Sequence, residues 1–240
     1  MTNTGKLRRV NEDAFLIHPS QPLWLVADGM GGHARGDLAS TGIVRAFDRL
    51  ALPERLSDCA DLVEQTLLEI NAGLCRLAAA EGGGETIGST VVVLLARRGL
   101  MLYLWAGDSR LYRWRGGQLE QLTQDHSQVQ EMVAEGLLRR DQAESHPAAN
   151  IVTRAVGGSE DLFLDLDYRP VAVGDRFLLC SDGLTKELPE PEIAAILGAH
   201  GDAVSLCRAL LERVMATPAR DNVTLVVAIA GADPAAARAR

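Results

Sequence analysis

An α+β fold built on antiparallel sheet is what the sequence predicts, on three observations. The first is a pair of apolar stretches, Ala14 to Ile17 and Leu23 to Ala27, flanking the turn-forming Pro19-Ser20-Gln21-Pro22, which is the pattern of two directly joined strands. The second is a run of short strands, Thr90 to Ala96, Met101 to Ala106, Arg110 to Arg115 and Gln118 to Leu122. The breaks between them, at Arg98-Gly99, Gly107-Asp108 and Gly116-Gly117, are too short for helical crossovers and predict one antiparallel meander. The third is size: 240 residues, 47% hydrophobic and 23% charged, carry enough apolar material for one core. A single domain over residues 1–230 is expected, with a frayed tail over 231–240.

The second strand runs into Asp28-Gly29, and two helical patterns follow. The clearer one places Val63, Leu67, Ile70, Leu74 and Leu77 at alternating four- and three-residue spacing, with Asp61 or Ser57 as its cap. Beyond the meander a helix is expected from Gln128 to Leu138, then a polar section without periodicity from Arg139 to Asn150, a candidate surface flap. Leu162, Leu164, Leu166 and Tyr168 alternate with Phe163, Asp165 and Asp167 as in a strand, which turns the two aspartates toward solvent. Arg176 to Cys180 is another strand and ends at Ser181-Asp182-Gly183. Helices near Glu190 to Leu197 and Ala203 to Met215 then lead to Asp221-Asn222 and a last strand, Val223 to Ile229.

Composition excludes several classes of function. No apolar run approaches the ~18 residues of a membrane span, and the first residues lack the apolar block of a secretory signal, so a cytoplasmic location without membrane attachment is expected. A formal charge of -8 argues against a grip on nucleic acid, which needs clustered Lys and Arg, and is compatible with cation binding. The four cysteines, Cys59, Cys75, Cys180 and Cys207, show neither zinc-site spacing nor a disulfide framework and read as small buried hydrophobes.

Acidic clusters stand at strand ends: Asn11-Glu12-Asp13, Asp28-Gly29, Ser181-Asp182-Gly183 and Asp221-Asn222. Taken singly, an Asp-Gly is a turn. Together they could deliver hard carboxylate ligands to one point, which selects Mg²⁺ or Mn²⁺ over zinc. In this order, with Arg8-x-x-Asn11-Glu12-Asp13, Asp28-Gly29-Met30-Gly31-Gly32-His33, Gly88-Ser89-Thr90, Gly107-Asp108-Ser109-Arg110, Leu122-Thr123-x-Asp125-His126-Ser127, Thr153-Arg154-Ala155-Val156-Gly157 and Asp221-Asn222-Val223-Thr224, the chain resembles the bacterial form of the metal-dependent protein serine/threonine phosphatases of the type 2C class. The match runs through nearly the whole chain.

The resemblance implies a four-layer α-β-β-α sandwich of two antiparallel sheets flanked by helices. It implies hydrolysis of phosphoserine and phosphothreonine by direct attack of a hydroxide shared by two Mn²⁺ or Mg²⁺ ions, with no protein nucleophile. Carried over by motif, Asp28 bridges both cations, the Gly29 carbonyl binds one, Asp182 and Asp221 bind the other, and Glu12 and Asp13 orient bound waters. Asp108, with Asp182, resembles the place of a weaker third cation. Arg8 takes the phosphate-contacting position, where a planar guanidinium can bind two phosphoryl oxygens. The general acid is open: some members carry a histidine after the Asp-Gly, where this chain has Met30, and His33 is the nearby candidate beside a structural role at a helix start. The implied partners are phosphorylated proteins, including a serine/threonine kinase and its substrates, met by a monomer.

Other readings have less support. Gly29-x-Gly31-x-x-Ala34 with Asp48 some 20 residues on imitates a dinucleotide fingerprint, but Asp28 would repel pyrophosphate and the meander contradicts a parallel sheet. The segment after Cys180 is no cysteine-phosphatase loop. A catalytically dead scaffold would not need every metal position. His126 reads as capping or structural, and Ser89 lacks a nucleophile's Gly-x-Ser-x-Gly setting.

Overall fold

A computed structural model describes residues 1–31, 35–80, 82, 86–143 and 146–231. Its strands, in chain order, are β1 (Thr2–Asn3), β2 (Asp13–Ile17), β3 (Leu23–Met30), β4 (Gly88–Ser89), β5 (Val91–Arg97), β6 (Leu100–Ala106), β7 (Arg110–Arg115), β8 (Gln118–Gln121), β9 (Asp165–Pro170), β10 (Arg176–Cys180) and β11 (Val223–Ile229). The helices are α1 (Gly36–Phe47), α2 (Leu56–Ala80), α3 (Gln128–Ala134), α4 (Asp182–Thr185), α5 (Glu190–Gly198) and α6 (Ala203–Met215). One sheet runs β2-β3-β5-β6-β9 with β4 on the end of β3, the other β1-β11-β10-β7-β8. Every pairing is antiparallel.

The period of two along the strands builds three apolar layers. In β5, Val91, Val93 and Leu95 turn to α1 and α2 and meet Ile43, Phe47, Val63 and Leu67. The intervening Val92 and Leu94 turn to the second sheet, against Leu111, Phe177, Leu179 and Val226. On that sheet's far side Leu178, Cys180, Leu225 and Val227 meet Ile193, Leu197, Leu206 and Leu210 of α5 and α6. The result is the expected α-β-β-α sandwich, and near-continuous apolar runs such as Val91 to Leu95 follow from burial on both faces.

Four details differ from the sequence reading. The stretch from residue 90 to 122 is not one meander: β5 and β6 pair in the first sheet, β7 and β8 in the second. The chain crosses between sheets at Gly107-Asp108, where Gly107 takes φ 111° with Thr90 packed where a Cβ would stand. α2 begins at Leu56, so Ser57 and Asp61 lie inside it and neither caps it; the Ser57 hydroxyl donates to Asp58 instead (2.9 Å). The helix after Ser127 stops at Ala134, short of Leu138, and Gly136 follows with φ 74°. On β9 the facing is reversed. Leu166 and Tyr168 are exposed, while Asp165 and Asp167 point to the inter-sheet side, paired across from Trp105 and Tyr103. They are retained there because Arg154 and His126 bind Asp165 and the Tyr103 hydroxyl and Arg169 bind Asp167. The tail over 232–240 lies outside the described residues.

Candidate metal centre

Both sheets end at one cleft. Asp28 lies near the end of β3, opposite Asp13 of β2, and the β6–β7 crossing brings Asp108 in from the side. Asp182 begins α4 directly after β10, and Asp221 precedes β11. Antiparallel pairing of β10 with β11 brings these last two ends together, sealed by Ser181 N–H donating to the Thr224 carbonyl (2.9 Å). The cleft, about 300 Å³, is lined by Glu12, Asp28, Gly29, Asp108, Asp182 and Asp221, with Arg8 and Lys186 at its side. Asp13 stands behind it, buried, accepting a hydrogen bond from the Ser181 hydroxyl (2.8 Å).

Backbone contacts fix these groups. Gly29 and Gly36 meet so closely that a Cβ on Gly29 would lie 2.1 Å from the Gly36 carbonyl oxygen. Glu12 ties the strands to α1: its carbonyl accepts from Gly29 N–H (3.1 Å) and the Ser40 hydroxyl (2.5 Å), and its carboxylate from Gly36 N–H (3.1 Å). Asn222 organises the segment carrying Arg8, its amide donating to the Thr4 and Val10 carbonyls and its oxygen accepting from Glu12 N–H (2.9 Å). The Asp108 turn is held by His126, whose Nδ1 accepts from Gly107 N–H (3.1 Å) while Nε2 faces Asp165 (3.2 Å). That pattern makes Nε2 the protonated nitrogen. Burial lowers the pKa of His126, with Asp165 opposing. Its role is structural, and Ser127 is the cap of α3.

Crowded carboxylates in a low-dielectric cleft resist ionisation. Burial, then the charges of Asp13, Asp182 and Asp108, raise Asp28 well above the ordinary range. Burial raises Asp13 to about 6, the Ser181 hydrogen bond opposing. Burial and the Asp182 charge raise Asp108 to about 7. Burial also raises Asp182, although Lys186 opposes it. Asp221 is the exception: burial pushes it up, but the Arg8 hydrogen bond and the Lys186 charge hold it below its usual value.

Two observations test whether this site suits divalent cations. Asp13 Oδ1 and Asp182 Oδ1 are buried with no hydrogen-bond partner, a costly state for a carboxylate oxygen that a cation would relieve. The donor set is entirely oxygen, as hard cations prefer. Among the described residues no three acidic side chains already stand as a finished ligand cluster. Arg8 Nε binds Asp221 Oδ1 (2.8 Å), Lys186 binds Asp221 Oδ2 (3.1 Å), and Lys186 also binds Asp182 Oδ2. The two cationic side chains take up ligand oxygens that an inorganic cation would claim.

Residues 7–224 match the family described as protein phosphatase 2C. The chain belongs to that family. This phosphatase 2C chain is 32% identical over 233 residues to the serine/threonine phosphatase stp of Listeria monocytogenes, covering 94% of this chain and 92% of that one. Among solved structures it resembles PppA, a key regulatory component of T6SS in Pseudomonas aeruginosa, at 43% identity and TM-score 0.87 over 95% of both chains. It also resembles the catalytic domain of the phosphatase PstP in complex with two manganese ions, at 29% identity and TM-score 0.82 over 95% of both chains.

The structure thus gathers Arg8, Glu12, Asp28, Gly29, Asp108, Asp182 and Asp221 around one cleft with Asp13 behind, whereas His33 lies outside the described residues. The sequence reading assigns no role to Lys186 or Asn222. Lys186 was detectable as the partner of Asp182 at i,i+4 spacing, but α4 is four residues long and shows no periodicity.

The raised pKa values have a consequence for pH. A carboxyl whose folded pKa exceeds its unfolded value binds more protons folded, so its stabilising contribution is complete below the unfolded value and is lost as pH rises through the folded one. For Asp13 and Asp108 that window runs from 3.8 to about 6 and about 7. Binding of Mn²⁺ at pH 6 is therefore expected to release protons, and at pH 8 far fewer. Calorimetry in two buffers of different ionisation enthalpy measures this; equal proton release at both pH values would contradict the raised carboxyls.

Proposed function

We infer that this phosphatase 2C chain is a protein serine/threonine phosphatase that hydrolyses phosphoserine and phosphothreonine monoesters with a pair of Mn²⁺ or Mg²⁺ ions. The observation that carries this is the meeting of five carboxylates from five separate stretches of chain in one cleft, with buried oxygens of Asp13 and Asp182 left unpartnered. The ligand roles are proposed as the motifs suggest: Asp28, the Gly29 carbonyl, Asp182 and Asp221 would hold the pair, Glu12 and Asp13 would orient water, and Asp108 with Asp182 would hold a weaker third cation. When bound, such a pair supplies an acidified water and neutralises phosphoryl oxygens.

The chain's own side chains do the rest. Arg8, half exposed and anchored through Nε, offers its remaining N–H groups to the phosphoryl oxygens. Asp28 and Asp182 would act on the reaction through the cations they hold. A water oxygen forms the new P–O bond, the bond to the seryl or threonyl oxygen breaks, and that oxygen leaves with a proton as the alcohol. No thiol is required: Cys59, Cys180 and Cys207 are buried and all four cysteines are unbridged. Ser89 is buried, with its hydroxyl 2.8 Å from the Thr90 carbonyl.

The phosphorylated partners we propose include a serine/threonine kinase and its substrates, met in the cytoplasm by a monomeric single domain. Among the described residues no helix is long and apolar enough to cross a membrane. Exhaustive chelation is expected to abolish hydrolysis of an aryl phosphate and of a phosphothreonine peptide, and Mn²⁺ or Mg²⁺ to restore both; full activity after chelation refutes the reading. Arg8→Ala is expected to raise KM for the phosphopeptide about tenfold, the worth of a charge-assisted hydrogen bond. Manganese affinity measured by calorimetry should change far less. Equal loss of both would remove Arg8 from the phosphate.

A further inference from the structure

A second cavity of about 630 Å³ opens beside the metal cleft, walled by Leu7, His146, Glu187 and Arg220. Arg8, Asn150, Lys186 and Asp221 line both, so the two form one depression. A polypeptide whose phosphorylated side chain reaches the carboxylates would lay its neighbouring residues here. On a chain of net charge -8 this wall is unusual, for it carries Arg8, Lys186 and Arg220 against two acids, Glu187 and Asp221.

These charges are not equally engaged. Asp221 holds Arg8 and Lys186. Glu187, its side chain 5% exposed, is satisfied from within: it accepts the Arg220 backbone N–H (3.0 Å), and hydrogen bonds from Thr217 and Ala219 help offset burial and hold its pKa below the usual value. The Arg220 guanidinium, in contrast, is 66% exposed, and its contact with Glu187 is 3.7 Å, too long for a hydrogen bond.

The backbone that presents it is fixed. Ala219 takes a left-handed φ of 44°, its carbonyl accepts from Lys6 N–H (2.8 Å), and a Cβ on Gly5 would stand 2.2 Å from the Asp221 carbonyl oxygen. Close backbone packing on one side and the Glu187 contact to its backbone N–H on the other fix where Arg220 stands on the cavity wall, and its exposed guanidinium offers an anion a planar fork of donors there.

We propose that this cavity is a substrate subsite for an acidic side chain, aspartate or glutamate, flanking the phosphorylated residue, with Arg220 as its specificity-determining contact. The proposal rests on the phosphatase reading above and adds the class of sequence the enzyme selects. Because four residues line both hollows, the positions to examine are the two on either side of the phosphothreonine.

The test compares phosphothreonine peptides carrying Glu, Ala or Lys at each of those four positions, with an aryl phosphate as a substrate that has no flanking residue. With Mn²⁺ present, the unaltered enzyme is expected to prefer Glu over Lys at one position by about tenfold in kcat/KM, chiefly through KM. Arg220→Ala should erase that preference, Arg220→Glu should reverse it, and Arg220→Lys should retain part of it. All three should turn over the aryl phosphate within about twofold of the unaltered enzyme, since the interaction is absent from that substrate. No preference at any position, or a preference that survives Arg220→Ala, overturns the subsite. Equal loss on peptides and aryl phosphate makes Arg220 a structural residue and overturns it too. Absence of metal-dependent turnover of any substrate by the unaltered enzyme is a failure of the phosphatase reading itself.

Discussion

Asp182→Asn is expected to remove nearly all phosphatase activity while leaving the metal-free protein at least as stable as the original. The two effects have one cause. Asp182 keeps one buried oxygen without a partner, and burial holds its pKa up even with Lys186 against it, so its charge is a cost to the folded chain until a cation arrives. An amide of the same shape relieves that cost and forfeits the charge a cation needs. Metal affinity should fall by at least ~100-fold, since loss of even an outer contact to a metal ligand costs 10–100-fold. At 100 times its dissociation constant a ligand stabilises by about 2.7 kcal/mol, or roughly 5–11 °C in Tm for a chain of this size. Differential scanning calorimetry with and without Mn²⁺ should show that shift in the original protein and lose it in the variant. A variant that melts several degrees lower without metal would mean that the Lys186 pair, not the metal, is what Asp182 serves.

The fold was legible wherever burial imposed a period. Strands such as Val91 to Leu95 and Arg176 to Cys180 are apolar on both faces because each sheet packs on helices one side and on the other sheet the other. The strand expected over Arg176 to Cys180 is found with those bounds, and the one expected over Thr90 to Ala96 is found one residue later, over Val91–Arg97. What the period could not show is which sheet a strand joins: the short connection Gly107-Asp108-Ser109 reads like a hairpin turn, and Gly107, at a positive φ and packed on Thr90, carries the chain across. β9 misleads for the opposite reason. An edge strand is not forced to hide its apolar residues, so tertiary partners decided its facing. Arg154, His126 and the Tyr103 hydroxyl hold the half-exposed Asp165 and Asp167 on the inter-sheet side, and Leu166 and Tyr168 take the other.

The site was legible to the extent that its chemistry sits in short motifs. An Asp-Gly read alone is only a turn, but several aspartates at strand ends, in this order along the chain, carry the reading together. Lys186 and Asn222 are not legible in that way. Lys186 matters through Asp182 and Asp221, which are respectively four residues away on a single turn of helix and thirty-five residues away in sequence. Asn222 matters through carbonyls of Thr4 and Val10, more than two hundred residues off. Contacts of that kind come from sheet register, which no local pattern encodes.

Gly29→Ala tests whether the cleft depends on backbone proximity as closely as its geometry implies. The added Cβ would stand 2.1 Å from the Gly36 carbonyl oxygen, 2.3 Å from the Gly36 carbonyl carbon and 2.6 Å from the Glu12 carbonyl oxygen. All three are backbone atoms, so no side chain can swing away, and β3 must part from the start of α1. Overpacking of this kind costs about 3 kcal/mol, which lowers Tm by roughly 6–12 °C in a chain of this size. The displacement also pulls on Glu12, whose carbonyl and carboxylate bind Gly29, Ser40 and Gly36 at that junction, so manganese affinity should fall together with stability. Gly42→Ala supplies the contrast. It lies in the same helix α1 with nothing within 4 Å of an added Cβ, and should stabilise by about 0.5–1 kcal/mol through helix propensity alone. If Gly29→Ala melted with the original protein and bound manganese as tightly, the contact between β3 and α1 would be loose enough to absorb a methyl group, and the backbone would not be what positions Asp28.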